Sequence, residues 1–122
     1  GTALKKIRIP QSVHWLGEGV YADCKRLSSI EIPDTIVSVS DKLFKGCEAL
    51  TDIKLPESID RIGEGAFEGC VSLQNLVIPQ AVKAIGENAF QNVSPKFTLL
   101  CERLSVAERY ARSHDIRFQI IY

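Results

Sequence analysis

A period of 23 residues runs through the chain and leaves little freedom in how it can fold. Cys24, Cys47 and Cys70 are separated by that step, and one further step reaches Val93, which is small and apolar. Pro10, Pro33, Pro56 and Pro79 keep the same interval. So do Leu4, Leu27, Leu50 and Leu73, and likewise Tyr21, Phe44, Phe67 and Phe90. Gly17, Ser40, Gly63 and Gly86 form another register. Several registers sharing one period over four copies are the mark of a repeat architecture, in which each unit packs chiefly on its neighbours.

The third copy, Leu50 to Ser72, is the cleanest, LTDIKLPESIDRIGEGAFEGCVS. Its first part alternates: Ile53 and Leu55 point one way and Lys54 the other, which is strand periodicity. Pro56 lacks an N–H and ends the ladder. A unit this short has room for one strand and a return path, so neighbouring strands are expected to be parallel, one per turn of a coil. The return path turns Ile59, Ile62, Ala66 and Phe67 inward. Gly63 suits a tight turn with positive φ, and residues 64–69 are long enough for one short helical or 3₁₀ turn. No single unit can bury its own apolar face, but four stacked units can. The expected interior is a set of ladders: Leu4/Leu27/Leu50/Leu73, Ile7/Ile30/Ile53/Leu76, Ile9/Ile32/Leu55/Ile78, and a return-side stack of Tyr21, Phe44, Phe67 and Phe90.

These units resemble leucine-rich repeats of the BspA-like class, found in surface proteins of bacteria and some protozoa. The resemblance rests on an L-x-x-I-x-I-P strand followed by an I-G-E-x-A-F-x-x-C return, as in Leu50–Cys70 and Leu73–Phe90, and it extends from Leu4 to about Pro95. Copy two departs with Ser40-Asp41-Lys42-Leu43-Phe44, copy one carries Trp15 and Tyr21, and copy four replaces its cysteine with Val93. The fold the resemblance implies is an α/β leucine-rich-repeat solenoid. It would be a right-handed coil with a parallel β-sheet on one face and short helical turns on the other.

Beyond Pro95 the pattern changes. Phe97-Thr98-Leu99-Leu100 reads as a strand, and Ser105-Val106-Ala107-Glu108 is a capping-box pattern opening a helix over about 105–113. Ile116-Arg117-Phe118-Gln119-Ile120 alternates as a last strand. This strand–helix–strand segment reads as a C-terminal cap, because a terminal unit must shield the open end of the core. The organisation expected is four repeats over 4–96 and a cap over 97–122, in one domain. The chain does not open with Met and Leu4 begins a repeat directly, so it is expected to be part of a longer protein with further sequence upstream.

Composition bounds the function. Of 122 residues, 45% are apolar and 25% charged, with fifteen basic residues against fifteen acidic ones. A balanced charge gives no electrostatic case for nucleic acid. No apolar run nears the roughly 20 residues of a membrane span, so no membrane insertion is expected.

Candidate chemistry is sparse. There is no CxxC, and His14 and His114 are far apart, so zinc-ligand spacing is absent. Cys24, Cys47 and Cys70 read as a column of buried thiols behaving as small hydrophobes. Gly63-Glu64-Gly65-Ala66-Phe67-Glu68-Gly69 has the wrong spacing for a phosphate loop. Glu18, Asp41, Glu64 and Glu87 form an acidic column. Its carboxylates are expected to satisfy free N–H groups of the turns they begin; a row of calcium ions is the other reading. Ser113-His114-Asp115 are consecutive, and nothing in the sequence orients them as a catalytic relay. Asn92-Val93-Ser94 is a glycosylation sequon followed by Pro95.

On the outward strand face Arg8, Glu31 and Lys54 share one column, with opposite charges alternating, and Val77 follows. Trp15 holds a position filled by Ser38, Arg61 and Ala84 in the other copies, so it is expected to be partly exposed. These four residues, Trp15, Arg8, Glu31 and Lys54, are the candidate binding residues. The expected function is a non-catalytic, monomeric protein-interaction module, without metal or cofactor. Its partner would be a protein or other macromolecule, host matrix among the candidates. The resemblance implies an extracellular or cell-surface location and a role in adhesion or ligand binding. The competing expectation is a structural spacer with no ligand of its own.

Overall fold

A computed structural model describes residues 6–121. Leu4, Lys5 and Tyr122 lie outside the described residues. The front of the molecule is a row of short parallel strands: β1 (Lys6–Arg8), β2 (Ser29–Glu31), β4 (Asp52–Lys54), β6 (Asn75–Val77), β8 (Thr98–Cys101) and β9 (Phe118–Ile120). They pair as two three-stranded sheets, β1-β2-β4 and β6-β8-β9. Ile7 registers with Ile30 and Ile30 with Ile53, so each column holds residues one period apart.

One expectation needs correcting. The second, third and fourth repeats each have room for a second strand: β3 (Ser38–Val39), β5 (Arg61–Ile62) and β7 (Ala84–Ile85) form a separate parallel sheet, β3-β5-β7. Two residues suffice because the strand only has to place one side chain inward. Val39 and Ile62 are fully buried, while Ser38 and Arg61 face outward.

Among the described residues the expected helical turns on the remaining side are also absent. In their place is a ladder of turns bonded from coil to coil. The amides of Gly19, Tyr21 and Asp23 donate to the carbonyls of Asp41, Leu43 and Lys45 in the next coil. Lys42, Phe44 and Gly46 donate to Glu64, Ala66 and Glu68, and Gly65, Phe67 and Gly69 to Glu87, Ala89 and Gln91. An amide committed to the neighbouring coil cannot close an intrahelical bond. Left-handed backbone at Gly19, Lys42, Gly65 and Asn88, and again at Asp23, Gly46, Gly69 and Asn92, turns alternate amides outward to reach the next coil.

Gly63 is therefore not the positive-φ residue; that role falls to Gly65 at φ 62° and Gly69 at φ 79°. Gly63 is needed for close approach. A Cβ there would lie 2.5 Å from the Asp41 amide nitrogen, and one on Gly86 would lie 2.5 Å from that of Glu64. Gly86→Ala should therefore push the third and fourth coils apart and cost about 1–3 kcal/mol, read as a lower urea midpoint. A change under about 0.5 kcal/mol, the range of an inconsequential substitution, would show that the coils yield freely.

Among the described residues the expected interior ladders are present. Leu27, Leu50 and Leu73 are fully buried, as are Ile59, Ala66 and Phe67. The aromatic rings stack at 6.0 Å (Tyr21–Phe44), 5.5 Å (Phe44–Phe67) and 5.6 Å (Phe67–Phe90) between centroids. The stack then runs one ring further than the repeat, to Phe97 at 5.2 Å from Phe90.

The C-terminal end is closed by helix α1 (Val106–Ser113), which crosses from β8 to the parallel strand β9. Ser105 is its N-cap and accepts the Glu108 amide at 3.1 Å. Glu108 does not return the bond to Ser105, as a capping box would. Its carboxylate accepts the Leu104 amide at 2.7 Å and pairs with Arg112 at 2.8 Å. The Leu104 amide and then the Arg112 side chain hold this carboxyl below its ordinary pKa. The helix seats on the last repeat through Tyr110, whose hydroxyl donates to the Gly86 carbonyl at 2.9 Å.

Candidate protein-interaction surface

The pleat sends alternate side chains of the front strands into solvent, and the register places Arg8 beside Glu31 and Glu31 beside Lys54. Arg8 and Glu31 pair at 3.6 Å with both side chains in water; such exposed pairs are worth little. Sequence reasoning placed Val77 next in this column but missed Leu100 beyond it. Val77 registers with Leu100, and both are half-buried on the outer face. The signal was available, since Leu100 stands one regular period after Val77, but residues 97–100 were read as the beginning of the cap. The outward column thus passes from three charges to an apolar pair.

Shallow surface grooves follow this face. One of about 390 Å³ runs between Arg8, Pro10, Gln11, Glu31 and Pro33. Another of about 340 Å³ is bordered by Ser29, Asp52, Lys54 and Asn75. Both are open to solvent.

Trp15 is not part of this face. It stands at the head of the Ser38, Arg61 and Ala84 column of the second sheet and is 75% exposed. Its ring leans over Gly17, with Cη2 3.3 Å from where a Cβ would sit. The structure therefore groups Arg8, Glu31 and Lys54 and sets Trp15 apart.

All four cysteines are buried free thiols. Cys47 Sγ donates to the Tyr21 carbonyl at 3.1 Å and Cys70 Sγ to the Phe44 carbonyl at 3.2 Å, each reaching back one coil. Burial pushes both thiols up to about 12. Burial also raises Cys101. A thiol so reluctant to ionise is a poor nucleophile and metal ligand.

The acidic column does not act as expected. Among the described residues only Asp41 of this column takes an amide, at 2.9 Å, and that amide belongs to Glu64 in the next coil, not to its own turn. Arg61 also reaches Asp41, at 3.4 Å. Glu18, Glu64 and Glu87 are exposed. Among the described residues no three His, Cys, Asp or Glu side chains gather closely enough to hold a metal ion.

At the cap, His114 stacks on Tyr110 with centroids 3.9 Å apart. Its Nδ1 lies 2.9 Å from both Ser113 Oγ and the Tyr110 carbonyl. A carbonyl can only accept, so Nδ1 carries the proton and cannot take one from Ser113. The pair serves to finish the helix end, and no relay forms.

The family model of the BspA type leucine rich repeat region, built of six copies, matches residues 1–115. The chain belongs to this family. Leucine-rich repeats of this kind typically serve as protein-interaction modules, and the fold is generally non-catalytic. Two solved structures support the assignment. A leucine-rich repeat protein from Bacteroides ovatus is 30% identical with a TM-score of 0.71, covering 80% of this chain. A leucine rich cell surface protein from Faecalibacterium prausnitzii is 32% identical with a TM-score of 0.78, covering 88% of this chain. A leucine rich repeat protein from T. pallidum, 22% identical with a TM-score of 0.64 over 79% of this chain, shares the fold. The match spans only 31%, 28% and 58% of those three chains respectively. No protein of curated function matches.

Proposed function

We propose that this stretch of BspA-type repeats is a non-catalytic adhesion or ligand-binding module of a surface or secreted protein, with a protein as its partner. One observation carries the reading: the outward column of the front sheet, Arg8, Glu31 and Lys54 followed by the half-buried Val77 and Leu100. An apolar centre beside a polar, solvent-exposed rim is the usual composition of a protein-binding patch. An open groove suits an extended surface better than a small molecule. The surface location is supported by the Faecalibacterium prausnitzii cell surface protein. Trp15 is a second contact, since an exposed tryptophan is a common interface anchor.

Binding to immobilised extracellular matrix proteins tests the proposal. Charge reversal at Arg8, Glu31 or Lys54 should weaken binding by roughly twofold to fivefold each, the scale of rim charges. Trp15→Ala should weaken it by about 30-fold if the ring anchors the contact. Binding that survives all four changes would move the site elsewhere. No binding to any matrix protein would favour a spacer.

A further inference from the structure

The acidic column ends against the cap. The side chain of Glu87, its fourth member, is 80% exposed, and the His114 imidazole stands beside it with Nε2 4.0 Å from Glu87 Oε2. Among the described residues no other basic group lies within ion-pair reach of Glu87. The tautomer decides what this gap needs. Nδ1 carries the ring proton because it faces the Tyr110 carbonyl, so Nε2 of the neutral ring presents a lone pair. A carboxylate can only accept. Two acceptors therefore face each other with no proton between them.

His114 is also a wall of a cavity of about 200 Å³ between the last repeat and the cap. Phe90, Tyr110 and Ile116 line it, and the exposed Asn88 and Gln91 border it. Its floor is apolar: Phe90 is buried, and its ring meets Tyr110 edge-on at 6.2 Å between centroids. The cavity is smaller than the roughly 300–1,000 Å³ of ordinary small-molecule sites, and its size suits one side chain. The Glu87 charge is felt there. Burial is the main cause that raises the Tyr110 hydroxyl above its ordinary pKa, and the Glu87 carboxylate adds to it.

We infer that this junction takes a lysine side chain of a partner protein, its ammonium donating to both His114 Nε2 and the Glu87 carboxylate and its methylene stem lying against Phe90, Tyr110 and Ile116. An ammonium nitrogen about 2.8 Å from each acceptor subtends about 90° across the 4.0 Å gap, an angle that two of its three N–H bonds can span. The parallel N–H fork of arginine matches the two oxygens of one carboxylate, not acceptors on two different groups. Two ligands are too few for calcium, which takes about six to eight oxygens. The junction lies on the turn side of the coil, away from the front column. It is a further contact, and its failure would leave the reading of that column untouched.

The test titrates Nα-acetyl-lysine methylamide into the full chain, with NMR shifts read at the His114 ring and the Asn88 and Gln91 amides. Saturable shifts with a Kd on the order of 1 mM are expected. Glu87→Gln should weaken binding about fivefold, the upper range for an exposed charge pair, with the urea midpoint unchanged. His114→Phe, which keeps a ring over Tyr110 but removes the Nε2 acceptor, should weaken it as much. The Nε-acetylated probe should not bind, and the arginine analogue should bind more weakly. Shifts that never saturate overturn the inference. So does equal affinity for the Glu87→Gln variant, or equal affinity of the native chain for the Nε-acetylated or arginine probe. Butylamine binding more tightly than the capped lysine would assign the cavity to free amines and overturn it equally.

Discussion

Phe67→Ala is expected to cost the fold about 3–5 kcal/mol, the usual range for emptying a fully buried phenylalanine site. Phe67 has no solvent exposure and lies in the middle of the aromatic stack, 5.5 Å from Phe44 and 5.6 Å from Phe90. Its own amide also bonds the Ala89 carbonyl of the next coil at 2.8 Å, so the turn that carries the ring is pinned on both sides. The walls of the cavity are therefore held apart by the backbone ladder and cannot collapse. In a solenoid the stability resides in nearest-neighbour interfaces, and this ring takes part in two of them. Equilibrium unfolding in urea, followed by far-ultraviolet circular dichroism, measures the loss. A value under 1 kcal/mol would mean that the ring is not a core element. The same substitution at Tyr21, half-buried at the open end, should cost visibly less because only one neighbouring ring is lost.

The stack shows why much of this fold could be read from the sequence. A repeat converts a one-dimensional interval into a three-dimensional neighbour, so finding Phe44, Phe67 and Phe90 one period apart already implied that their rings touch. The same logic placed Cys24, Cys47 and Cys70 in one buried column and Arg8, Glu31 and Lys54 in one exposed column. It failed where a backbone angle, not a side chain, decides. Nothing in the side chain of Lys42 announces φ 59°, and Lys42 is equivalent to Gly19, Gly65 and Asn88 only through the shared period. Without that column the turns looked helical. The second sheet was missed because Ser38–Val39, Arg61–Ile62 and Ala84–Ile85 are too short to show alternation. Leu100 was missed as a surface residue although it stands one full period after Val77, because its strand was read as the start of the cap and not as a continuation of the repeat columns. Trp15 was placed correctly as exposed, but its contact with Gly17 depends on a rotamer that no spacing encodes.

The thiol column should make the protein sensitive to alkali. Cys47 and Cys70 keep their protons in the folded chain to about pH 12, because burial penalises the thiolate. In the unfolded chain a thiol ionises near pH 8.5. Between those values the unfolded state binds fewer protons than the native state, so stability falls as pH rises. Each thiol contributes about 1.4 kcal/mol of loss per pH unit. Below about pH 8.5 the contribution is complete and flat. Two thiols therefore remove about 3–4 kcal/mol between pH 8.5 and 10, a large part of the roughly 5–15 kcal/mol that holds an ordinary domain together. Burial raises Tyr21 and Tyr110 as well, and they act in the same direction once pH passes about 10. The double variant Cys47→Val, Cys70→Val isolates the thiols, and Val93 shows that the column accepts this side chain. The exchange leaves the Tyr21 and Phe44 carbonyls without their S–H donors, a cost independent of pH. The comparison is therefore one of slopes: stability from urea denaturation at pH 8.5 and 10 should drop steeply in the native sequence and little in the variant. Equal slopes would mean that the thiolates reach water without unfolding and that the column is not sealed.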